Sequence, residues 1–267
     1  MTQGRRRDDY GFLLSSRWAG LLAAALVVAA GCVVLGLWQV DRLEHRHDRN
    51  RLLERNLTAT PVPAASLLRV GRDPAARDEY ARVLATGRYD EGRQLLVRTR
   101  PFEGAVGYYV LTPLVTAQGP ALLVNRGWVP GGPDATTPPE PPAPPSGEVT
   151  VTGRVRPSEP ASTTGEPPPG QVTRIDVPAI ARSLRLEAYG GYVDLVRERP
   201  APGRAPRPLP PPEPSEGPHL AYAFQWFLFA ALAPVGYVLL ARREAEDRAG
   251  QGGVDRDAAR GRQSVTG

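Results

Sequence analysis

One imidazole stands at the mouth of an apolar run late in the chain, in His219-Leu220-Ala221-Tyr222-Ala223-Phe224-Gln225-Trp226-Phe227. On a helix, Tyr222 and Ala223 follow His219 by three and four positions and Trp226 by seven, so the four share one face. That face offers one nitrogen ligand, a small residue that leaves room, and flat rings. These are the ingredients of a haem contact, in which a neutral imidazole nitrogen binds iron. They are equally the ingredients of a helix packed on a partner, and Tyr222 and Trp226 also suit a belt of aromatics at a membrane interface. Other chemistry is hard to build. The remaining histidines, His45 and His47, lie two positions apart, so on a helix they point to different sides and read as solvated surface. No Gly-x-Ser-x-Gly elbow, phosphate loop or His-Glu-x-x-His occurs, and the chain is not expected to be an enzyme. A single cysteine, Cys32, excludes an internal disulfide, a CxxC pair and a cysteine metal cage. With Met1 the only methionine, a soft copper site is disfavoured as well.

Two elements would position His219. Residues 220–241 are free of charge up to Arg242-Arg243, and residues 18–40 are free of charge between Arg17 and Asp41. About 20 apolar residues suffice for a helix to cross a ~30 Å hydrocarbon layer. The first run is too long for a signal-peptide core and stays apolar beyond Ala29-Ala30-Gly31-Cys32, so it reads as an uncleaved membrane helix. Two crossings put both termini on one side. Arg242, Arg243 and Arg248 follow the second run and only Arg207 stands close before it, which places both termini in the cytoplasm of a multi-pass protein of the cell membrane. The resulting division is a cytoplasmic N-terminus at 1–17, membrane helices at 18–40 and 220–241, an extracytoplasmic domain at 41–219, and a disordered cytoplasmic tail at 242–267.

Between the helices the pattern changes. Residues 41–58 continue the first helix into water, and the residue before Pro61 is disfavoured in helical geometry. Period-two alternation then predicts strands over 80–89, 94–99, 107–115, 121–129, 149–155 and 192–197, with a turn at Gln118-Gly119 and a bulge at Gly87. Residues 178–186 read as a short helix with Pro178 in its first turn. The fold class is therefore α+β: two terminal transmembrane helices flanking a β-rich domain, an antiparallel sheet or a barrel. Three proline-rich stretches, 133–145, 157–169 and 200–218, predict exposed loops and a semi-stiff connector, the first of which should tolerate shortening. The chain holds no lysine; all 33 basic residues are arginine, interleaved with acids to a net charge of only +5, and no nucleic-acid patch is evident.

Four motifs carry a resemblance. They are Gly36-Leu37-Trp38-Gln39-Val40-Asp41-Arg42; Gly107-Tyr108 with Leu111-Thr112-Pro113-Leu114; Val124-Asn125-Arg126-Gly127-Trp128-Val129-Pro130; and His219-Leu220-Ala221-Tyr222-Ala223 with Gln225-Trp226-Phe227. In this order, the chain resembles the Surfeit locus protein 1 family over roughly 17–243. The family comprises assembly factors of haem-copper cytochrome c oxidase. The resemblance implies transient binding of haem a and help in its delivery to the oxidase catalytic subunit, with the haem a synthesis machinery as a second partner and the lipid bilayer as surroundings. By that resemblance His219 matches the histidine implicated in haem a binding, as an axial iron ligand. Tyr222, Trp226, Trp38 and Gln39 complete the expected pocket. The family usually carries Asn-Asn before that histidine, where this chain has Gly217-Pro218, so any polar support from those asparagines is missing. A haem-free scaffold that stabilises an oxidase intermediate is the alternative; an extracytoplasmic sensor is disfavoured because no output domain is evident.

Overall fold

The computed structural model describes residues 10–263 except 118, 133–136, 162–164, 166 and 216, with side chains described as far as Arg248. The chain forms two compact units. One comprises residues up to Asp48 and from Ser215 onward; the other is Arg49–Pro214.

The second unit is built from eight strands: β1 Val62–Pro63, β2 Arg82–Tyr89, β3 Leu95–Phe102, β4 Ala105–Thr116, β5 Ala121–Pro130, β6 Val149–Arg156, β7 Gln171–Val172 and β8 Ala188–Arg199. The sheet order is β1-β2-β6-β8-β5-β4-β3-β7, and β2 also pairs with β4. The ring β2-β6-β8-β5-β4 is therefore a closed five-stranded barrel, which removes the edges an open sheet would expose. Closure depends on β2 changing partners. Gly87 pairs with Val149 of β6 and also opposes Thr116 of β4. A Cβ at Gly87 would collide with the Val115 carbonyl, so the residue expected to mark a bulge is the corner of the barrel. All ring pairings are antiparallel except β5 with β8.

Alternation explains the core. Val83, Leu114, Leu122, Val124, Val149, Val151, Val155 and Val193 pack into one buried cluster. Val97, Leu111, Leu123 and Tyr192, from the opposite faces of their strands, meet Ile175, Val177 and Ile180. The last two lie on helix α3, Val177–Leu184, which Asp176 caps by accepting from the Ala179 N–H at 3.0 Å, with proline at its start. Helix α2, Ala64–Leu67, is a single turn after β1. Strand β5 is buried from Ala121 to Val129 because both of its faces are covered.

The proline-rich stretches differ from expectation. Residues 133–136, 162–164, 166 and 216 lie outside the described residues, as does Gln118 of the expected turn. The described parts of the stretches are tied to the barrel by buried polar side chains. Arg126, only 2% exposed, donates to the carbonyls of Pro142 at 2.8 Å and Ala143 at 3.2 Å. Arg154 donates to the Leu209 carbonyl at 2.7 Å, and Arg207 exchanges two backbone hydrogen bonds of 2.8 Å with Trp128. Proline lacks an N–H but keeps its carbonyl, and the planar arginine fork supplies the donors.

Glu159, in the middle stretch, accepts from Arg100 Nη2 at 2.6 Å and from the Ile175 N–H at 3.0 Å. Burial pushes the Glu159 carboxyl up, but the hydrogen bonds from Arg100 and Ile175 and the charges of Arg100 and Arg174 outweigh it and hold it below the usual 4.5. A carboxylate depressed in the folded state adds stability above its unfolded pKa, and that stability is lost as pH falls through the folded value. Glu159→Gln is therefore expected to cost about 1–3 kcal/mol at neutral pH. The gap from wild type should close as pH falls through the range below 4.5. Denaturant titrations across that range measure it; a gap that does not depend on pH would refute the role.

The first unit is a pair of long helices: α1, which spans Ser16–Thr58 and belongs to this unit as far as Asp48, and α4 His219–Gln263. Both are long and apolar enough to cross a membrane, and only 11% and 6% of their most apolar windows are buried in the molecule. A core helix of a water-soluble protein hides its apolar faces, whereas these face outward. The tail after Arg243, expected as coil, continues α4 as far as Gln263. Its Ala, Glu and Arg residues favour helix, and Glu244 pairs with Arg248 one turn on at 2.8 Å.

Candidate functional site

The two long helices run antiparallel, and three contacts define their seam. At one end Trp18 meets Tyr237 edge-to-face, with ring centroids 5.7 Å apart. Phe12 joins them, its ring 5.0 Å from Trp18, and Ala241 and Ala245 complete this cluster. Further along, Gly36 faces Phe227; a Cβ at Gly36 would lie 2.8 Å from the ring. At the far end His219 Nδ1 lies 2.9 Å from Gln39 Oε1.

The buried and half-buried positions along the apolar part of α1 include Trp18, Ala25, Ala29, Cys32, Gly36 and Gln39; those of α4 include His219, Ala223, Trp226, Ala230, Ala233 and Tyr237. Both sets follow three- and four-residue steps, the spacing of a helix-packing stripe. Small residues dominate the seam, as close helix approach in an apolar layer requires. With the rest of each uncharged run apolar all round, these few small positions decide where the two meet.

The expected site residues divide accordingly. Gln39 and His219 are brought into contact. Trp226 is half-buried on the same seam, its ring edge-on to Phe229 at 6.1 Å. Ala223, one turn beyond His219, is buried. Trp38 is 56% exposed and Tyr222 is 47% exposed, so both rings lie on the outer faces of the pair. Phe227 was not singled out as a site residue; the glycine opposite it in the first motif was the available signal. Away from the seam, His45 is exposed on α1 and its Nδ1 bonds the Asp41 carbonyl at 2.8 Å.

In the barrel unit the polar motif of β5, Asn125-Arg126-Gly127-Trp128, is tied into the sheet. Asn125 donates to Asp194 Oδ1 across the β5–β8 pair at 2.8 Å. Burial pushes the Asp194 carboxyl up, against the pull of Arg156, the Asn125 hydrogen bond and Arg154. Trp128 donates from Nε1 to the Arg100 carbonyl at 2.8 Å, stacks on Phe102 and lies under Arg207. These contacts hold strands and straps together.

Among the described residues, no group of three His, Cys, Asp or Glu is placed to hold a metal ion. A bare metal ion needs three or four protein ligands, whereas a haem brings four nitrogens and needs one or two. The donor at the seam fits the second case. His219 has one ring nitrogen engaged by Gln39, and its other edge lies beside Gly217, which has no side chain to cover it.

A closed five-stranded barrel, with a pair of helices long and apolar enough to cross a membrane and an imidazole at the end of their seam, defines a β-domain protein with two candidate membrane helices. The SURF1 family matches residues 26–231. An uncharacterised SURF1-like protein of Mycobacterium tuberculosis is 35% identical over 246 residues, covering 89% of this chain and 88% of the relative. The cytochrome oxidase assembly protein SHY1 of Saccharomyces cerevisiae is 30% identical over 111 residues, 41% of this chain and 27% of that protein. Surfeit locus protein 1 of Takifugu rubripes is 33% identical over 123 residues, 39% of this chain and 49% of that one. The chain belongs to the SURF1 family.

Proposed function

We propose that this protein is a membrane-anchored assembly factor for haem-copper cytochrome c oxidase, which carries haem a as cargo and helps deliver it to the catalytic subunit. Family membership and the name of the yeast relative, a cytochrome oxidase assembly protein, support the assembly role. The observation that supports the haem is His219, half-buried at the seam end, held on one ring nitrogen by Gln39 and bare on the other edge. In this reading His219 supplies an axial nitrogen to the haem a iron. The apolar ends of both helices and the Trp226 ring would shelter the macrocycle. The bound group supplies the iron and the macrocycle; the protein supplies orientation, shelter from water and release. The role is transfer rather than catalysis. The partners are the oxidase catalytic subunit, the haem a synthesis machinery and the bilayer.

The test is the visible spectrum of the full-length protein purified from cells that make haem a. A haem a band in stoichiometric proportion supports cargo binding. Its absence, with oxidase assembly still dependent on the protein, favours the haem-free scaffold.

The same reading places both termini in the cytoplasm and the barrel outside the cell membrane. Arg242, Arg243 and Arg248 follow the apolar part of α4, and a positive flank marks the cytoplasmic side. A reporter active only outside the cytoplasm should therefore be active when fused near Gly147 and silent when fused after Arg243. The reverse pattern would invert the topology.

A further inference from the structure

The two ring nitrogens of His219 have different surroundings. Nδ1 lies 2.9 Å from the side-chain oxygen of Gln39. An amide oxygen only accepts, so a hydrogen bond in this geometry requires the proton on Nδ1. In the neutral ring the free lone pair is then on Nε2. That edge faces Gly217, where an added Cβ would stand 3.3 Å from both Cδ2 and Nε2. The glycine leaves open the atom that the Gln39 bond frees. The bond also depends on how closely the helices approach. Gly36 stands one turn before Gln39 on the same face of α1, and its missing side chain is what admits the Phe227 ring.

We infer that Gln39 is a positioning residue: it selects the Nδ1–H tautomer of His219 and leaves Nε2 as the ligand-ready nitrogen. The purpose rests on the haem-carrying reading; the tautomer does not. The hydrogen bond made by one ring nitrogen decides which nitrogen is left to bind a metal. It also fixes the ring's rotation, which a ligand held at a single atom needs if the macrocycle is to sit at a defined angle. Gln39 thus supplies from the first helix the polar support that the Gly217-Pro218 segment does not provide.

The experiment separates the two claims. Full-length protein in detergent, labelled with nitrogen-15 histidine and carrying His45→Gln and His47→Gln, holds His219 as its sole imidazole. No haem is added. At a pH where the ring is neutral, its nitrogen spectrum is expected to show Nδ1 protonated and Nε2 bare. Gln39→Leu should move the population toward the Nε2–H form, and Gln39→Glu, which keeps an acceptor oxygen, should preserve Nδ1–H. A wild-type ring protonated on Nε2, or a Gln39→Leu spectrum unchanged from wild type, overturns the inference. The second arm titrates the same proteins with haem a. Gln39→Leu should bind it about 10- to 100-fold more weakly, the usual cost of losing an outer support of a metal-bound histidine. A tautomer that follows Gln39, with no haem a bound by any of the proteins, upholds the positioning role and overturns the haem reading alone.

Discussion

Replacing His219 with alanine is expected to bring copurified haem a down by more than about tenfold, because losing the ligand costs at least as much as losing its outer support. The change removes the proposed iron ligand and the hydrogen bond to Gln39 while sparing the other two seam contacts. Gly36 still faces Phe227, and Trp18 still meets Tyr237 at the other end. His219 is the first residue of α4, so its loss truncates no turn within the helix. The variant should therefore insert and accumulate normally, and oxidase maturation should fall with its haem content. Trp226→Phe keeps a ring on the seam and should do far less. Haem content and spectrum equal to wild type in the His219→Ala protein would remove the ligand assignment and favour the scaffold.

Arg126→Ala is expected to cost about 1–3 kcal/mol, the scale for leaving the acceptors of a buried charged donor unmet. The guanidinium is 2% exposed and lies over the Tyr89 ring with its centre 5.5 Å from the centroid. It donates to Gln94 Oε1 at 3.2 Å as well as to Pro142 and Ala143. Tyr89 in turn donates to Glu198 at 2.7 Å. Alanine would leave those carbonyls without donors and open a space beside the barrel. Domains of this size are stable by only about 5–15 kcal/mol, so the loss should be visible as a large drop in the unfolding midpoint. Arg197→Ala, at an exposed position on β8, is the control and should stay within about 0.5 kcal/mol. The same network changes what is expected of the first proline-rich stretch. Deleting 138–140 should be tolerated, whereas deleting Pro142 and Ala143 should resemble Arg126→Ala. A midpoint for Arg126→Ala equal to that of the control would show the clamp to be dispensable.

The strands were legible because a half-buried strand alternates: Val149, Val151 and Val155 face the core, with Thr150 and Thr152 between them. The apolar helices were legible from length alone. Closure was not, because it rests on Gly87 reaching across to Thr116, and no local pattern encodes a strand that changes partners. The straps were misread for a related reason. Their composition is that of disordered chain, and what orders them lies elsewhere, on Arg126 and Arg154 of other strands. At the seam, His219 and Gln39 could each be chosen from chemistry and resemblance. Their direct bond joins residues 180 positions apart and needed the helix pairing to appear. Tyr222 shares the helical face of His219 by spacing, yet the seam passes to one side of it.

The place of β8 in the ring governs how the domain can be made. This strand begins at Ala188 and fills the gap between β5 and β6, pairing with both. Without it the remaining ring strands run β6-β2-β4-β5, an open ribbon with two bare edges, one of them the strand buried along nearly its whole length. Such edges attract other chains, and contacts this distant in sequence form slowly because the intervening loop must close first. Synthesis must pass Arg199 before the ring can close, so the edges of β5 and β6 that β8 covers stay bare until that late step.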